Sequence, residues 1–392
     1  MNPLRETISW LKTKVQEDLF PYLQTCFADP MTEKQKRLIT ILEIVQPENY
    51  VKTPELQWMG RKLVDRYAIA RAFVAKAVYK FPTTRALIEG LNTMPNLRVI
   101  CGFSGSGFRT VKKARKKNGK WVVERVQEST LPSEATFSRA FAEFTASVLG
   151  DLVFNALVED HLSDQLIGHV SRDSTAINGN EKPIKMKREE KSEAQEPKKK
   201  GRPKKGEVRK KEEKRLDRQV GQTAAAAIKE LPTGCTVGTK KNAQGYKETW
   251  IGYKLHVDTN DNGFPLSVVL TSASLHDSQV AIPMMKMTSE KVTYLYDLMD
   301  AAYDAKQIHQ MSRTLGHVPI IDPNPRRGQA IPLAPAEAKR YNERSAAERT
   351  NSRLKCDFGG ETVMVRGAEK VKLHLMFGVI ALFADQLMKM AT

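Results

Sequence analysis

Three carboxylates lie at positions predicted to be near buried strands, where an acidic side chain needs a cation or a hydrogen-bond donor. Asp173 follows the apolar run LIGHV, Asp300 ends the run TYLYDLMD, and Glu348 lies on a predicted helix after the last strand. Burying a carboxylate alone is costly, so these positions indicate a cation or another strong partner. Three converging carboxylates could hold two divalent ions about 4 Å apart. Such a pair activates a water or a 3′-hydroxyl and stabilises the leaving oxygen during attack on a phosphodiester.

Taken singly, each acid is also compatible with a helix cap, a turn or an ordinary ion pair. Asp297 and Asp304 compete with Asp300 for the second position. Asp297 and Asp300 are three residues apart and face opposite sides of a strand, whereas Asp304 falls in the next predicted helix. The residues alone leave the second position open among these three aspartates.

A polar stripe surrounds the glutamate. Tyr341, Arg344, Glu348 and Lys355 stand at offsets of 0, 3, 7 and 14 residues. At about 100° per residue they fall within roughly 60° of one another on a helix, and the opposite face carries small and apolar residues suited to packing. The same pattern would arise on a solvated helix face with an ordinary ion pair between Arg344 and Glu348.

The chain is strongly basic. It contains 63 Lys and Arg against 45 acidic residues, a net charge of +18 over 392 residues. This balance favours nucleic acid as a partner over an acidic metabolite, with an anionic membrane surface or a merely well-solvated protein as alternatives. Residues 182–218 hold 17 Lys and Arg against 8 acids, half of the net charge. Large apolar side chains are scarce there, so we expect a flexible, solvated insertion.

Cysteine and apolar patterns predict the compartment. Cys26, Cys101, Cys235 and Cys356 show no paired spacing, and the 7 histidines show none that binds metal, which argues against zinc and disulfides. The N-terminal residues lack the apolar run of a signal peptide. The longest apolar stretch, 373–387, is interrupted by polar residues and predicts a buried helix, not a membrane span. We expect a soluble protein of the reducing cytoplasm.

The elements divide the chain into a helical part and an α/β part. Residues 1–166 are predicted to be mainly helical, with an amphipathic helix over 65–81 and a second over 131–144 capped by Ser133. A loop or hairpin is expected between these helices. The later part has the order β, β, β, α, β, α, β, α, including a hairpin that turns at Asn262-Gly263. Its predicted elements are a strand ending in RDST, strands over 249–258 and 266–274, a helix capped by Asp277, a strand over 291–300, a helix over 303–315, a short strand over 316–324, and helices over 335–355 and 370–390.

The spacing Y-(2)-R-(3)-E-(6)-K around Glu348 resembles the signature of bacterial insertion-sequence transposases of the DDE class. Three other segments are similar to motifs of that family: RDSTAI to its first aspartate motif, DAAYDA to its second, and GYKLHV with SLHDS to the strands between them. Two features depart from the pattern. Ala302 replaces the usual glycine of the second motif, and the basic insertion follows the first strand, whereas relatives more often carry an insertion before the glutamate.

The resemblance implies an RNase-H-like mixed sheet flanked by helices, formed by residues 167–181 and 247–392. Residues 1–166 would form a mainly α-helical DNA-end-binding region, and 182–246 a basic, flexible insertion. It also implies that Asp173, Asp300 and Glu348 bind Mg²⁺, for which Mn²⁺ can substitute, in a two-metal site. Tyr341, Arg344 and Lys355 would grip the phosphates of a transposon end.

The activity so implied is metal-dependent cleavage at terminal inverted repeats followed by strand transfer. The partners are double-stranded DNA, at the transposon ends and at the target, and a second copy of the chain, with no membrane and no small-molecule substrate. The expected location is the bacterial cytoplasm, in association with the nucleoid. A catalytically inactive DNA-binding derivative and an RNase-H-like nuclease remain as alternatives.

Two basic segments are candidate DNA contacts. KKKGRPKKG resembles an AT-hook in which Arg202 enters the narrow minor groove of A·T-rich DNA, although a solvated lysine-rich tail or a nuclear-import signal has the same composition. The cluster with Lys112, Lys113 and Arg115 is a second candidate for phosphate contact. An exposed loop without a partner would have the same composition.

Overall fold

A computed structural model describes residues 30–52, 65–103, 107–117, 120–184, 213–241, 244–324 and 332–391. Arg202 and the whole AT-hook-like segment lie outside the described residues, as does Cys26. The predictions for these residues therefore stay predictions.

Helices form most of the N-terminal region, as predicted. They are α1 (Glu33–Val45), α2 (Arg66–Tyr79), α3 (Thr84–Thr93), α4 (Pro95–Ile100), α5 (Glu134–Ala146) and α6 (Leu149–Leu162). Ser133 caps α5 by accepting from the backbone N–H of Thr136, so the predicted helix start is confirmed. The amphipathic reading of α2 is wrong, because most of its residues are buried. Phe73 of α2 packs among several other phenylalanine rings, which explains why no polar face is needed.

A two-stranded antiparallel hairpin interrupts the helices. It consists of β1 (Phe108–Lys117) and β2 (Lys120–Ser129), which pair from Phe108↔Ser129 onward. The structure thus selects the hairpin between the two predicted possibilities.

The rest of the chain forms a six-stranded mixed sheet. Its strands are β3 (Leu166–Asn178), β4 (Thr236–Lys241), β5 (Lys247–Asn260), β6 (Pro265–Ser272), β7 (Thr293–Met299) and β8 (Val318–Ile321). The order is β4-β5-β3-β7-β8, and β6 also pairs with β5. Strands β3 to β6 pair antiparallel, whereas β7 lies parallel to β3 and β8 parallel to β7. The predicted β5–β6 hairpin is confirmed, and Gly263 takes the positive φ of +79° that its turn requires.

Helices cover both faces of the sheet. They are α7 (Arg215–Gly221), α8 (Ala224–Lys229), α9 (Ser278–Ser289), α10 (Lys306–Thr314), α11 (Pro335–Tyr341), α12 (Ser345–Asp357) and α13 (Ala368–Ala391). One core cluster joins β3, β5 and β6 to α13 and the N-terminal helices, while separate clusters lie under α9 and α10. This arrangement is the RNase-H-like fold.

Three elements of this part were not predicted. Helices α7 and α8 and strand β4 fall within residues assigned to the basic insertion, and α7 begins inside the segment expected to be flexible. Gln219 of α7 is fully buried, and its side-chain amide donates to the carbonyl of Gln279 on α9. Strand β4 pairs with the first half of β5. The partner of α7 and α8 is α9, about 60 positions along the chain, so local composition gave no sign of these two helices.

The C-terminal helix α13 is the predicted buried helix. It is long and apolar enough to cross a membrane, but 78% of its most apolar window is buried inside the protein. Its Asp385, 3% exposed, accepts from Arg37 of α1 at 2.6 Å and from Arg353 of α12. One carboxylate thus ties the N-terminal region to the helix that carries Glu348.

Candidate active site

Strand pairing brings Asp173 and Asp300 together at the carboxyl end of β7, in the interior of the sheet. Asp173 lies on β3, and Asp300 directly follows β7. These strands are parallel, and Ser171 pairs with Leu298. Extending that register by two residues sets Asp173 beside Asp300, on the same face of neighbouring strands. Two carboxylates that are 127 positions apart in the chain therefore become neighbours.

The Asp173 carboxyl is shifted towards its protonated form. Burial raises its pKa to about 6, and the charge of Asp300 acts in the same direction. The backbone N–H of Ser174, the guanidinium of Arg344 and the side-chain amide of Asn351 oppose this shift. The Asn351 amide nitrogen donates to Asp173 Oδ2 at 3.1 Å. A carboxyl whose pKa is raised by burial and lowered by several nearby donors is typical of a functional site.

Asp300 begins a short 3₁₀ turn, Ala301–Tyr303, and accepts from the backbone N–H of Ala302 at 2.9 Å. Burial raises its pKa, and the nearby Asp277 and Asp322 raise it further, whereas Arg344 lowers it. The alanine at position 302, where a glycine was expected, therefore supplies an ordinary backbone contact to the aspartate.

The two competing aspartates are occupied elsewhere. Asp297 is fully buried, where Ser312 donates to it at 2.6 Å and Tyr294 at 3.1 Å. Asp304 does not lie in the following helix, as was expected; it precedes α10 and pairs with the His309 ring at 3.1 Å. These contacts favour Asp300 as the second acid of the site.

Glu348 lies on α12, two helical turns beyond Tyr341. A 3₁₀ turn, Asn342–Arg344, lies between α11 and α12, and the backbone keeps helical angles at Tyr341, Arg344 and Ser345, so the predicted stripe lies on consecutive helical turns. The Glu348 side chain is 56% exposed and pairs with Arg344, whose guanidinium lies 5.7 Å from the centre of the Tyr341 ring. The predicted packing face of α12 is confirmed, because its two alanines and Leu354 are buried.

Arg344 is the common cation of the site. Its pKa is raised by the charges of Tyr341, Glu348, Asp173 and Asp300, against the effect of its own burial. Lys355 is half-buried, which lowers its pKa, and the charge of Asp173 opposes that effect. The charges of the aspartates thus act on all three stripe residues: both aspartates on Arg344, Asp300 on Tyr341 and Asp173 on Lys355.

Sequence reasoning missed two polar atoms at this site. The Oδ1 of Asn351 and the hydroxyl of Tyr303 are both buried without a hydrogen-bond partner. Tyr303 is 1% exposed, and the charges of Asp277, Asp173 and Asp300 act on its hydroxyl. Asn351 stands one helical turn after Glu348, which is the one signal in the sequence that could have indicated it.

This donor set fits a hard divalent cation. Two carboxylates and a buried amide oxygen without a partner are the oxygen ligands that Mg²⁺ prefers, and a cation would relieve the burial of Asp173 and Asp300. Within the described part of the chain, no three His, Cys, Asp or Glu side chains stand close enough to hold a metal together. Glu348 is paired with Arg344 and does not stand with the two aspartates in this structure.

A buried ion network fixes the strand that carries Asp173. Arg172, 1% exposed, donates to both carboxylate oxygens of Asp258 on β5, at 2.8 and 2.7 Å, and lies 3.6 Å from Asp297 on β7. Thr288 of α9 also donates to Asp258. These contacts join the three central strands directly beneath the candidate site, and they were not predicted.

The predicted basic cluster lies on β1, in the two-stranded hairpin and not in the sheet that carries Asp173. Lys112, Lys113 and Arg115 are exposed there, and Lys113 pairs with Glu128 of β2 at 2.5 Å. None of the three has a described contact with Asp173, Asp300 or Glu348.

Comparison with models of protein families matches residues 173–384 to the family described as the transposase DDE domain. The match covers more than half of the chain, begins at Asp173 and includes Asp300 and Glu348. Comparisons with curated proteins and with solved structures gave no match.

Proposed function

The chain belongs to the transposase DDE domain family, and on this premise we propose that it cleaves and joins DNA at the ends of an insertion sequence. The observation that carries the proposal is the placement of Asp173 beside Asp300 on neighbouring parallel strands, with Asn351 donating to Asp173 and the charge of Arg344 acting on both. The proposal includes the Y-(2)-R-(3)-E-(6)-K signature, in which Glu348 would bind metal and Tyr341, Arg344 and Lys355 would bind DNA.

Asp173 and Asp300 would hold Mg²⁺ or Mn²⁺, with Glu348 as the third carboxylate. Bound metal supplies an activated water or 3′-hydroxyl and neutralises charge on the phosphate under attack. Asn351 keeps Asp173 in place by donating to Oδ2, and its own Oδ1, buried without a hydrogen-bond partner among the described residues, would be a further ligand.

Arg344 and Lys355 would bind the phosphates that flank the scissile bond. A guanidinium suits bidentate contact with a phosphate. When a phosphate accepts from Arg344, Glu348 loses its ion-pair partner. DNA binding would thus release the glutamate towards the two aspartates, and the site would be assembled only on its substrate.

The remaining parts of the proposal concern organisation. The N-terminal region, residues 1–166, would bind the terminal repeats, and the insertion over 182–246, with Arg202, would contact DNA nonspecifically. Cleavage at two ends requires at least two protomers in the working complex. DNA is the partner throughout, and the site of action is the cytoplasmic nucleoid.

The test uses the purified full chain and labelled duplexes that carry the DNA flanking its gene. We expect nicks at paired inverted repeats and joined products with a supercoiled target, both dependent on Mg²⁺ or Mn²⁺. Binding without nicking in either metal would overturn the proposal in favour of a DNA-binding derivative. Preferential cleavage of the RNA strand in an RNA–DNA hybrid would overturn it in favour of an RNase-H-like nuclease.

A further inference from the structure

The β1–β2 hairpin is a separate two-stranded sheet that joins no other described strand. In its register, Lys112 opposes Arg125 and Lys116 opposes Trp121. Directly opposed residues share a face of an antiparallel pair, so the hairpin has two distinct faces.

The first face, here called the open face, is solvent-exposed throughout. It comprises Thr110, Lys112, Ala114, Lys116, Trp121, Val123, Arg125 and Gln127. The other face comprises Arg109, Val111, Lys113, Arg115, Val122, Glu124, Val126 and Glu128, of which four are partly covered. The open face is therefore the more solvent-exposed of the two, and the other is here called the covered face.

Charge is segregated between the two faces. Both acids of the paired strands lie on the covered face, where Glu128 pairs with Lys113 at 2.5 Å and with Arg109 at 3.5 Å. The open face carries three cations and no acid, and no described carboxylate forms an ion pair with Lys112, Lys116 or Arg125. The sequence cluster thus splits: Lys112 is exposed and pairs with no carboxylate in the described part of the chain, while Lys113 pairs with Glu128.

Large apolar groups stand among the cations of the open face. Trp121 is 71% exposed and Val123 is 64% exposed. A soluble domain rarely leaves a tryptophan so exposed unless it meets a partner. Lys112 and Lys116 are about 13 Å apart along the strand, and a two-stranded ribbon fits the major groove, about 12 Å wide.

We infer that the open face of the hairpin binds double-stranded DNA, with Lys112, Lys116 and Arg125 on the phosphates and Trp121 packed against the duplex. This inference rests on the proposed function for its choice of DNA over an anionic membrane. It assigns the hairpin a binding role separate from the acidic site, because the hairpin cations have no described contact with the acids. Phosphate contacts of this kind hold and position a duplex without reading its sequence.

The experiment compares two triple variants of the full chain with equal loss of charge. The open-face variant is Lys112→Gln, Lys116→Gln and Arg125→Gln; the control is Arg109→Gln, Lys113→Gln and Arg115→Gln. Binding of a generic duplex without metal is measured by fluorescence anisotropy at several salt concentrations. We expect the open-face variant to bind roughly tenfold more weakly at 0.1 M salt and to lower the slope of log Kd against log salt by about 2.7, three phosphate contacts at 0.9 each.

An equal loss in both triple variants would show that only net charge matters, and this result would overturn the inference. Unchanged binding by the open-face variant would overturn it too. Trp121 gives an independent readout: duplex should alter the tryptophan fluorescence of the wild type, and Trp121→Phe should abolish most of that change. If phosphatidylserine vesicles alter the tryptophan fluorescence and duplex does not, the inference is wrong and the open face binds membranes instead.

The inference and the proposed function can fail separately. Nicking by the wild type together with wild-type DNA binding by the open-face variant would remove the hairpin's role alone. If the wild type nicks in no metal but the open-face variant loses DNA binding, the catalytic proposal is wrong and the hairpin site is supported.

Discussion

Asn351→Ala removes the side-chain donor that holds Asp173. A hydrogen bond to an ionised group contributes about 1.5–3 kcal/mol, and we take the lower value because Asp173 is not fully buried. At about 1.4 kcal/mol per unit, the loss should raise the pKa of Asp173 by roughly one unit above its present value, which is about 6. Because protons compete with Mg²⁺ for Asp173, the acid limb of the nicking rate at subsaturating Mg²⁺ moves to higher pH by the same amount. The rate near pH 6 then falls roughly fivefold, with little change near pH 8.5.

The assay is the pH profile of single-turnover nicking between pH 5.5 and 8.5. Ser352→Ala serves as the control, because Ser352 is exposed on the same helix. A merely structural defect would lower the rate equally at every pH and would lower the free energy of unfolding. An acid limb at the wild-type position in Asn351→Ala would refute the reasoning.

Three further predictions concern the buried polar groups. Arg172→Met leaves Asp258 buried without its cation, so urea titration should show the free energy of unfolding fall by about 3–5 kcal/mol; a loss below about 1 kcal/mol would contradict this. His256 is fully buried and burial lowers its pKa to about 4, below the value of about 6.5 in the unfolded chain. Its neutral form therefore contributes stability above pH 6.5 that is lost as pH falls towards 4, roughly 3 kcal/mol in all, and His256→Gln should flatten stability over that range. Asp385→Ala should lower the free energy of unfolding by less than Arg172→Met does, about 1–2 kcal/mol in the same urea titration, since the guanidinium groups of Arg37 and Arg353 reach solvent.

Much of the fold follows from local pattern. The strand that contains Asp173, the strand that precedes Asp300, the Asn262-Gly263 turn and the cap at Ser133 all follow from residues next to them in the sequence. Turn chemistry, alternation and capping act over a few residues, which is why they can be predicted from one chain.

Long-range contacts set the limit. Arg172 meets Asp258 across 86 positions, and no pattern near either residue marks the other as its partner. The second acid illustrates the same limit: three aspartates near β7 looked equivalent until the buried contacts of Asp297 and the ring pairing of Asp304 set them apart. Likewise, the 3₁₀ turn before α12 contacts the sheet across 172 positions, where the Ser171 hydroxyl donates to the carbonyl of Glu343.

The central claim is that Asp173, Asp300 and Glu348 form one metal-dependent site, and cysteine substitution tests it most directly. A thiolate suits softer divalent ions than Mg²⁺. We predict that Asp173→Cys, Asp300→Cys and Glu348→Cys each abolish nicking in Mg²⁺, recover part of it in Mn²⁺ or Co²⁺, and still bind DNA. Asp304→Cys, the matched control, should nick normally in Mg²⁺. Retained Mg²⁺-dependent nicking in the three site variants would contradict the account.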